Sequence, residues 1–258
     1  DLAGDDALGD LDQLRELARA LEEAGGDVDA AQKLLREKGV AAAGKRAGRE
    51  TTEGVVLTRV GAGTGTIVAV GCETEPVSKN EEFQAFAQHV LDVVAIEGPD
   101  AVRNLEQERV GLVARLGENV VVRGAARIAA ADGEAVAAYV HPPANKIGVL
   151  VRTTGTTELA RLVAMHISFA NPAYRTREEV PQHAVDAERE IYEKLPDVQS
   201  KPEEIRAKIV EGMLTKRFFG ESVLADQEWI HDDSLTVGKA LAEQGADVVE
   251  FVRYALAE

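Results

Sequence analysis

The residues able to do acid–base, nucleophilic or metal chemistry are scattered along this chain. The five histidines are His89, His141, His166, His183 and His231, and none pairs with another at the close helical spacing of a zinc site. Cys72 is the single cysteine, so no internal disulfide forms, and its apolar surroundings make it core filler. No Gly-x-Ser-x-Gly elbow is present. Acidic residues number 45, too many for abundance to mark a catalytic pair. Gly61-Ala-Gly-Thr-Gly65 lacks the Lys-Ser/Thr that a phosphate loop needs and runs into a strand rather than a helix, so it reads as a hairpin turn. These residues give no positive sign of an enzyme, a metal or a cofactor. The segment that stands out is Thr74-Glu75-Pro76-Val77, set between an apolar strand and an amphipathic helix. Binding groups are often held at such a junction, although a plain connection reads the same way.

Several elements must position that junction. Before it, Val55-Val-Leu57 and Thr66–Val70 read as strands flanking the glycine-rich turn. After it, Ser78 or Asn80 caps a helix whose buried stripe is Phe83, Phe86, Ala87, Val90, Leu91 and Val94. Glu106–Leu116 reads as a further helix, Val120–Val122 and Arg127–Ala129 as strands, and Asp132-Gly133 as a tight turn. Glu53–Val60 resembles Gly133–Val140, and each is followed by an apolar strand and a helix. This weak repeat predicts two related α+β subdomains and aligns His89 with His166, both expected as satisfied core histidines.

Upstream, residues 1–9 are expected to fray, and Leu11, Leu14, Leu17, Ala18 and Leu21 follow helical spacing. Asp27 or Asp29 starts a second helix with Val28, Ala31, Leu34 and Leu35 inward and Gly39 as its stop. Ala41–Arg49 then reads as a basic linker or a weakly docked third helix. Downstream, Pro181 and Lys201-Pro202 open the two helices of an αα-hairpin, with Val185, Ile191 and Leu195 inward on the first and Ile205, Ile209, Met213 and Phe218 on the second. Leu235–Gln244 is expected as a helix and Asp247–Tyr254 as a closing strand.

Bulk composition narrows the partners. At 258 residues the chain holds two or three compact units, and with only 4% aromatics its core is mainly Ala, Val, Leu and Ile. A net charge of −16 disfavours nucleic acid and anionic membranes, while permitting a basic protein partner. No apolar stretch approaches the ~20 residues needed to span a bilayer. The acidic start lacks a secretory n-region, and cysteine usage suits a reducing, cytoplasmic setting.

Taken in order, the motifs resemble the elongation factor Ts family. Gly25–Ala31 with Leu34–Gly39 is similar to part of the family's ubiquitin-associated-type (UBA-like) helical domain. Glu53–Val56, Cys72–Val77, Phe83–Ala87 and Leu116–Asn119 are similar to its first core subdomain, and Tyr139–His141 and Ile147–Val151 to its second. Lys201–Ile205, Ile209–Gly212 and Lys216–Phe219 resemble the helical insertion, and Thr236–Gly238 and Phe251–Arg253 the C-terminal end.

The resemblance implies an α+β fold. A small helical domain would span 1–44, two subdomains with antiparallel sheets 50–131 and 132–258, and a projecting hairpin about 180–220. It implies a cytoplasmic guanine-nucleotide exchange factor without bond chemistry or cofactor, whose partner is elongation factor Tu, GDP-bound and nucleotide-free. Thr74, Glu75, Pro76 and Val77 would be the exchange loop, pressing near the partner's magnesium and phosphates. Arg19, Leu116, Gly117 and His141 would be further partner contacts.

Two departures bear on this. The family loop reads Thr-Asp-Phe-Val, so here Glu75 carries the carboxylate on a longer arm and Pro76 replaces an aromatic wedge with a smaller, stiffer one. The family's Thr-Gly-Ala-Gly-Met-Met-Asp-Cys-Lys segment is missing; Ala18 stands at the lysine's place, beside Arg19. A non-exchanging adaptor and a small α+β enzyme are the alternative readings.

Overall fold

A computed structural model describes residue 15 and residues 17–257, a mixture of helices and antiparallel sheets of the α+β class. The expectations on residues 1–9, Leu11 and Leu14 lie outside the described residues. Contacts divide the chain into two units. The first holds the described residues through Leu57 with 68–126 and the last few residues; the second holds 58–67 and 127–254.

In the first unit, helical residues 17–23 stop at Gly25 and Gly26, both at positive φ. Asp27, rather than Asp29, caps helix α1 (Val28–Arg46) by accepting a hydrogen bond from Ala30 N at 3.0 Å. Gly39 does not stop this helix. It is buried against α3 (Glu106–Leu116), where an added Cβ would sit 3.5 Å from Val110 Cγ1, and the helix continues over the expected linker to Arg46. Ala20, Ala31, Gly39 and Ala43 are buried, while Leu17, Leu21 and Val28, expected inward, are exposed.

Strands β1 (Glu53–Gly61) and β2 (Thr64–Cys72) are joined by Ala62-Gly63, both at positive φ as a primed hairpin turn requires. The sheet order is β1-β2-β3, with β3 (Val121–Ala129) one continuous strand where two short ones were expected. Gly54, at φ +133°, lies so close to β2 that a Cβ would stand 2.1 Å from Val70 O. Helix α2 (Glu81–Glu97) is capped by Asn80, which accepts from Glu82 N at 2.8 Å and Phe83 N at 3.3 Å. Its stripe of Phe83, Phe86, Ala87, Val90, Leu91 and Val94 is buried as its spacing predicts, packing with Val68, Val70 and Cys72. Each large side chain so buried contributes about 1.5–3 kcal/mol. This core fixes the end of β2 and the start of α2.

In the second unit, β4 (Glu134–Val140) pairs antiparallel with β5 (Ile147–Thr154), Ala137 opposite Val151, and β6 (Asp247–Ala255) flanks β5. Helix α4 (Thr157–Ala170) covers them with Leu159, Ala160, Val163, Ala164 and Ile167. The order β4-β5-α4 repeats β1-β2-α2. The Asp132-Gly133 turn forms, but the strands it joins do not pair with each other. The matched histidines diverge. His166 is fully buried and bonded to Gln227 Oε1 at 2.9 Å, as expected of a core histidine. His89 is exposed and paired with Glu108 at 2.9 Å, because its position faces outward on α2.

The helical hairpin is α5 (Gln182–Glu193) and α6 (Glu203–Met213), joined through a helical turn at Pro196–Gln199. Pro181 and Pro202 cap these helices from outside rather than starting them. Tyr192, Val198, Val210 and Leu214 form a small core of their own, and Ile191 and Ile205, expected inward, are exposed. The stripe is set by Tyr192, adjacent to Ile191 and so turned about 100° from it on the helix. Arg189 on α5 pairs with Glu211 on α6. The expected helix at Leu235–Gln244 is shorter, α7 (Val237–Ala242), because Thr236 caps it and Leu235 belongs to the strand Asp232–Thr236.

Candidate partner-binding turn

Thr74–Val77 forms a helical turn rather than an open loop. Residues Glu75–Ser78 are helical, with Thr74 extended at the N-cap and Pro76 within the first turn. A proline fits there because the first N–H groups of a helix have no partner within it. Ser78 N donates to Thr74 O at 3.1 Å, Ser78 Oγ to Glu75 O at 2.7 Å, and Gln84 Nε2 to Ser78 O at 2.5 Å. Glu75 and Pro76 are exposed, whereas Val77 is half-buried against the core. The turn thus presents one carboxylate and one rigid apolar ring, with Val77 as its anchor. Lys79 Nζ lies 2.7 Å from Glu75 Oε1; this hydrogen bond, followed by the carboxylate's charge, raises the lysine above its ordinary pKa.

Residues 117–119 support the turn. Glu118 Oε2 accepts from Glu73 N at 3.1 Å and Thr74 N at 3.0 Å, and Thr74 Oγ1 donates to Glu118 Oε1 at 2.5 Å. Glu73 Oε1 accepts in return from Asn119 N at 2.6 Å. Asn119 is buried and donates through Nδ2 to Arg49 O at 2.9 Å, while Arg49 Nη1 stands 3.4 Å from Glu73 Oε2. Cys72 is buried, with Sγ 3.3 Å from Thr74 O.

The other expected contact residues are placed as follows. Leu116 ends α3 and packs half-buried on the core; Gly117 is its left-handed C-cap at φ +73°, and its carbonyl accepts from Arg46 Nε at 2.8 Å. The structure therefore brings Gly117 and Thr74–Val77 together through Glu118. Arg19 is exposed on helical residues 17–23. His141 belongs to the second unit. It is exposed, its backbone tied to Ile147 O and Asn145 N and its Nδ1 3.2 Å from Tyr139 Oη.

Among the described residues no cluster of His, Cys, Asp and Glu is arranged to hold a metal ion, and no helix is long and apolar enough to cross a membrane. Sequence reasoning missed Arg46, Arg49, Glu73 and Glu118. The two glutamates lie 45 residues apart in the sequence, and no local pattern links them.

The profile of the family described as Elongation factor TS matches residues 73–258. The chain is 40% identical over 243 residues to Elongation factor Ts of Shewanella amazonensis, covering 93% of this chain and 84% of that protein. It is 40% identical over 254 residues to Elongation factor Ts of Leifsonia xyli subsp. xyli, covering 92% and 90%. A third relative, Elongation factor Ts of Pasteurella multocida, is 40% identical over 252 residues, covering 95% and 86%.

The chain belongs to the elongation factor Ts family. That membership makes it a translation elongation factor, a protein of protein biosynthesis. The elongation factor Ts match begins at Glu73, the residue that exchanges hydrogen bonds with Asn119, so the turn, α2 and everything after them lie inside it.

Proposed function

We propose that this chain promotes GDP release from elongation factor Tu, with Thr74–Val77 as the exchange turn and Arg19, Leu116, Gly117 and His141 as further contacts. The observation that carries this reading is the turn itself: within a matched elongation factor Ts chain, Glu75 and Pro76 stand exposed on a turn tied at both ends. A surface already ordered loses little entropy on docking. The factor makes and breaks no bond. It binds the nucleotide-free GTPase more tightly than the GDP-bound form, and by linkage weakens GDP binding by the same factor. Glu75 brings an anion toward the groups around the bound magnesium, and disturbing that ion removes the positive charge holding the diphosphate. The factor acts in the cytoplasm, with no cofactor and no direct contact to nucleic acid or membrane.

The test is release of labelled GDP from elongation factor Tu with substoichiometric purified chain. Acceleration with repeated turnover is expected, without nucleotide binding to the chain alone. Tight binding of GDP to the chain without the GTPase, or unaccelerated release, overturns the proposal.

A further inference from the structure

Glu73 and Thr74 are joined to Glu118 by three hydrogen bonds to one carboxylate. Oε2 takes the backbone N–H groups of residues 73 and 74, and Oε1 takes the Thr74 hydroxyl at 2.5 Å. Hydrogen bonds to a carboxylate are about twice as strong as neutral ones. Glu73 answers by accepting from Asn119 N at 2.6 Å, so the two segments exchange carboxylates. The Thr74 hydroxyl, the usual group for capping the turn that follows, is committed to Glu118 and makes no cap bond. On its far side, Gly117 O is held by Arg46.

We infer that Glu118 is a positioning residue for the exchange turn: it clamps Thr74 to the segment Gly117–Asn119, so that Gly117 and Glu75 meet the partner as one preformed surface. This rests on the exchange reading proposed above. Glu118 itself acts through Thr74, and its removal leaves the Glu75 carboxylate and the Pro76 ring intact but free to shift. An exchange factor that must displace charge around a bound ion depends on where its carboxylate stands. A displacement of ~1 Å in such a group costs up to ~100-fold in rate.

Glu118→Ala and Glu118→Gln separate positioning from charge. In Gln the amide oxygen still accepts both N–H groups, and the Thr74 hydroxyl rotates to accept from the amide. Stopped-flow GDP release at saturating factor is expected to slow about tenfold in Glu118→Ala, or roughly 1.4 kcal/mol. The half-saturating concentration should stay within about threefold, and Glu118→Gln within about threefold of the parent on both measures. Amide hydrogen exchange at Glu73 and Thr74 should rise in Glu118→Ala while that of α2 does not.

An unchanged saturated rate in Glu118→Ala overturns the inference. So does a Glu118→Gln variant as slow as Glu118→Ala, which would assign the effect to charge. If Glu118→Ala loses cooperative melting, Thr74→Val decides instead. It deletes only the hydroxyl bond, and an unchanged rate there overturns the clamp. If the parent chain fails to release GDP, the exchange reading falls, while unchanged exchange at the two amides in Glu118→Ala would independently sink the clamp.

Discussion

Lys79 Nζ lies 2.7 Å from Glu75 Oε1, so the outward carboxylate of the turn is already paired with a cation one helical turn along. Both side chains are largely exposed, and an exposed pair at this spacing is easily broken. On the proposed exchange reading, the partner would meet a carboxylate held in place but readily surrendered. Glu75→Ala is expected to slow saturated GDP release about tenfold, near 1.4 kcal/mol in the release barrier, with affinity for the nucleotide-free GTPase within about threefold. Lys79→Ala should change the saturated rate less than about twofold. Equal rates for the parent, Glu75→Ala and Pro76→Gly would reduce the turn to a connector.

His141 should act in association rather than release. Its backbone is fixed by two hydrogen bonds and its ring is exposed beside Tyr139. His141→Ala is expected to raise the half-saturating concentration about three- to tenfold with the saturated rate unchanged. A titration of release rate against factor concentration reads both numbers, and a fall in the plateau instead would assign His141 to the release step.

Acid should destabilise the fold through His166. Burial pushes this histidine below its ordinary pKa of 6.5, against the hydrogen bond to Gln227, and the charge of His231 lowers it further. The unfolded chain then binds a proton that the folded chain refuses. The contribution is fully present above the unfolded value and is lost as pH falls from there through the lower folded value. Urea melts at about pH 7.5 and about pH 5.5 should show a larger loss for the parent than for His166→Gln. Equal losses would place the acid sensitivity elsewhere.

Gly54→Ala should be costly. A Cβ at that site would stand 2.1 Å from Val70 O, backbone that cannot swing aside, at a φ of +133° that alanine rarely adopts. A loss of at least ~2 kcal/mol is expected in urea unfolding. A change smaller than ~0.5 kcal/mol would mean that β1 shifts to make room.

Removing residues 1–44 should lower the melting temperature but keep one cooperative transition, since the cluster around Phe83, Phe86 and Val90 is built mostly from later residues. The lost contacts include Ala43 with that cluster and Gly39 with Val110. The truncation also removes the body of α1 and the Ala42 carbonyl that hold Arg46, so the Arg46–Gly117 hydrogen bond should weaken. A shift in Tm with retained sharpness in circular dichroism is the expected record, and a broad, non-cooperative melt would make α1 part of the core.

The sequence by itself determined what depends on near neighbours. The stripe of α2 follows from residues three and four apart, its start from the cap candidates Ser78 and Asn80, of which the structure uses Asn80, and the hairpin from the glycine-rich run Gly61–Gly65. The bounds of α3, Glu106–Leu116, are legible for the same reason. Family membership was legible because many weak motifs keep their order.

Only the tertiary structure decided what depends on distant partners. Gly39 looks like a helix stop until it is seen buried within α1, facing Val110 and Ala114 of α3. His89 and His166 look alike until one meets Glu108 at the surface and the other Gln227 in the core. Thr74–Val77 looks like a plain connection until Glu118, 44 residues from Thr74, is seen to hold it. A carboxylate accepts from whichever donors the fold brings within 3 Å, and chain spacing carries no record of which those are.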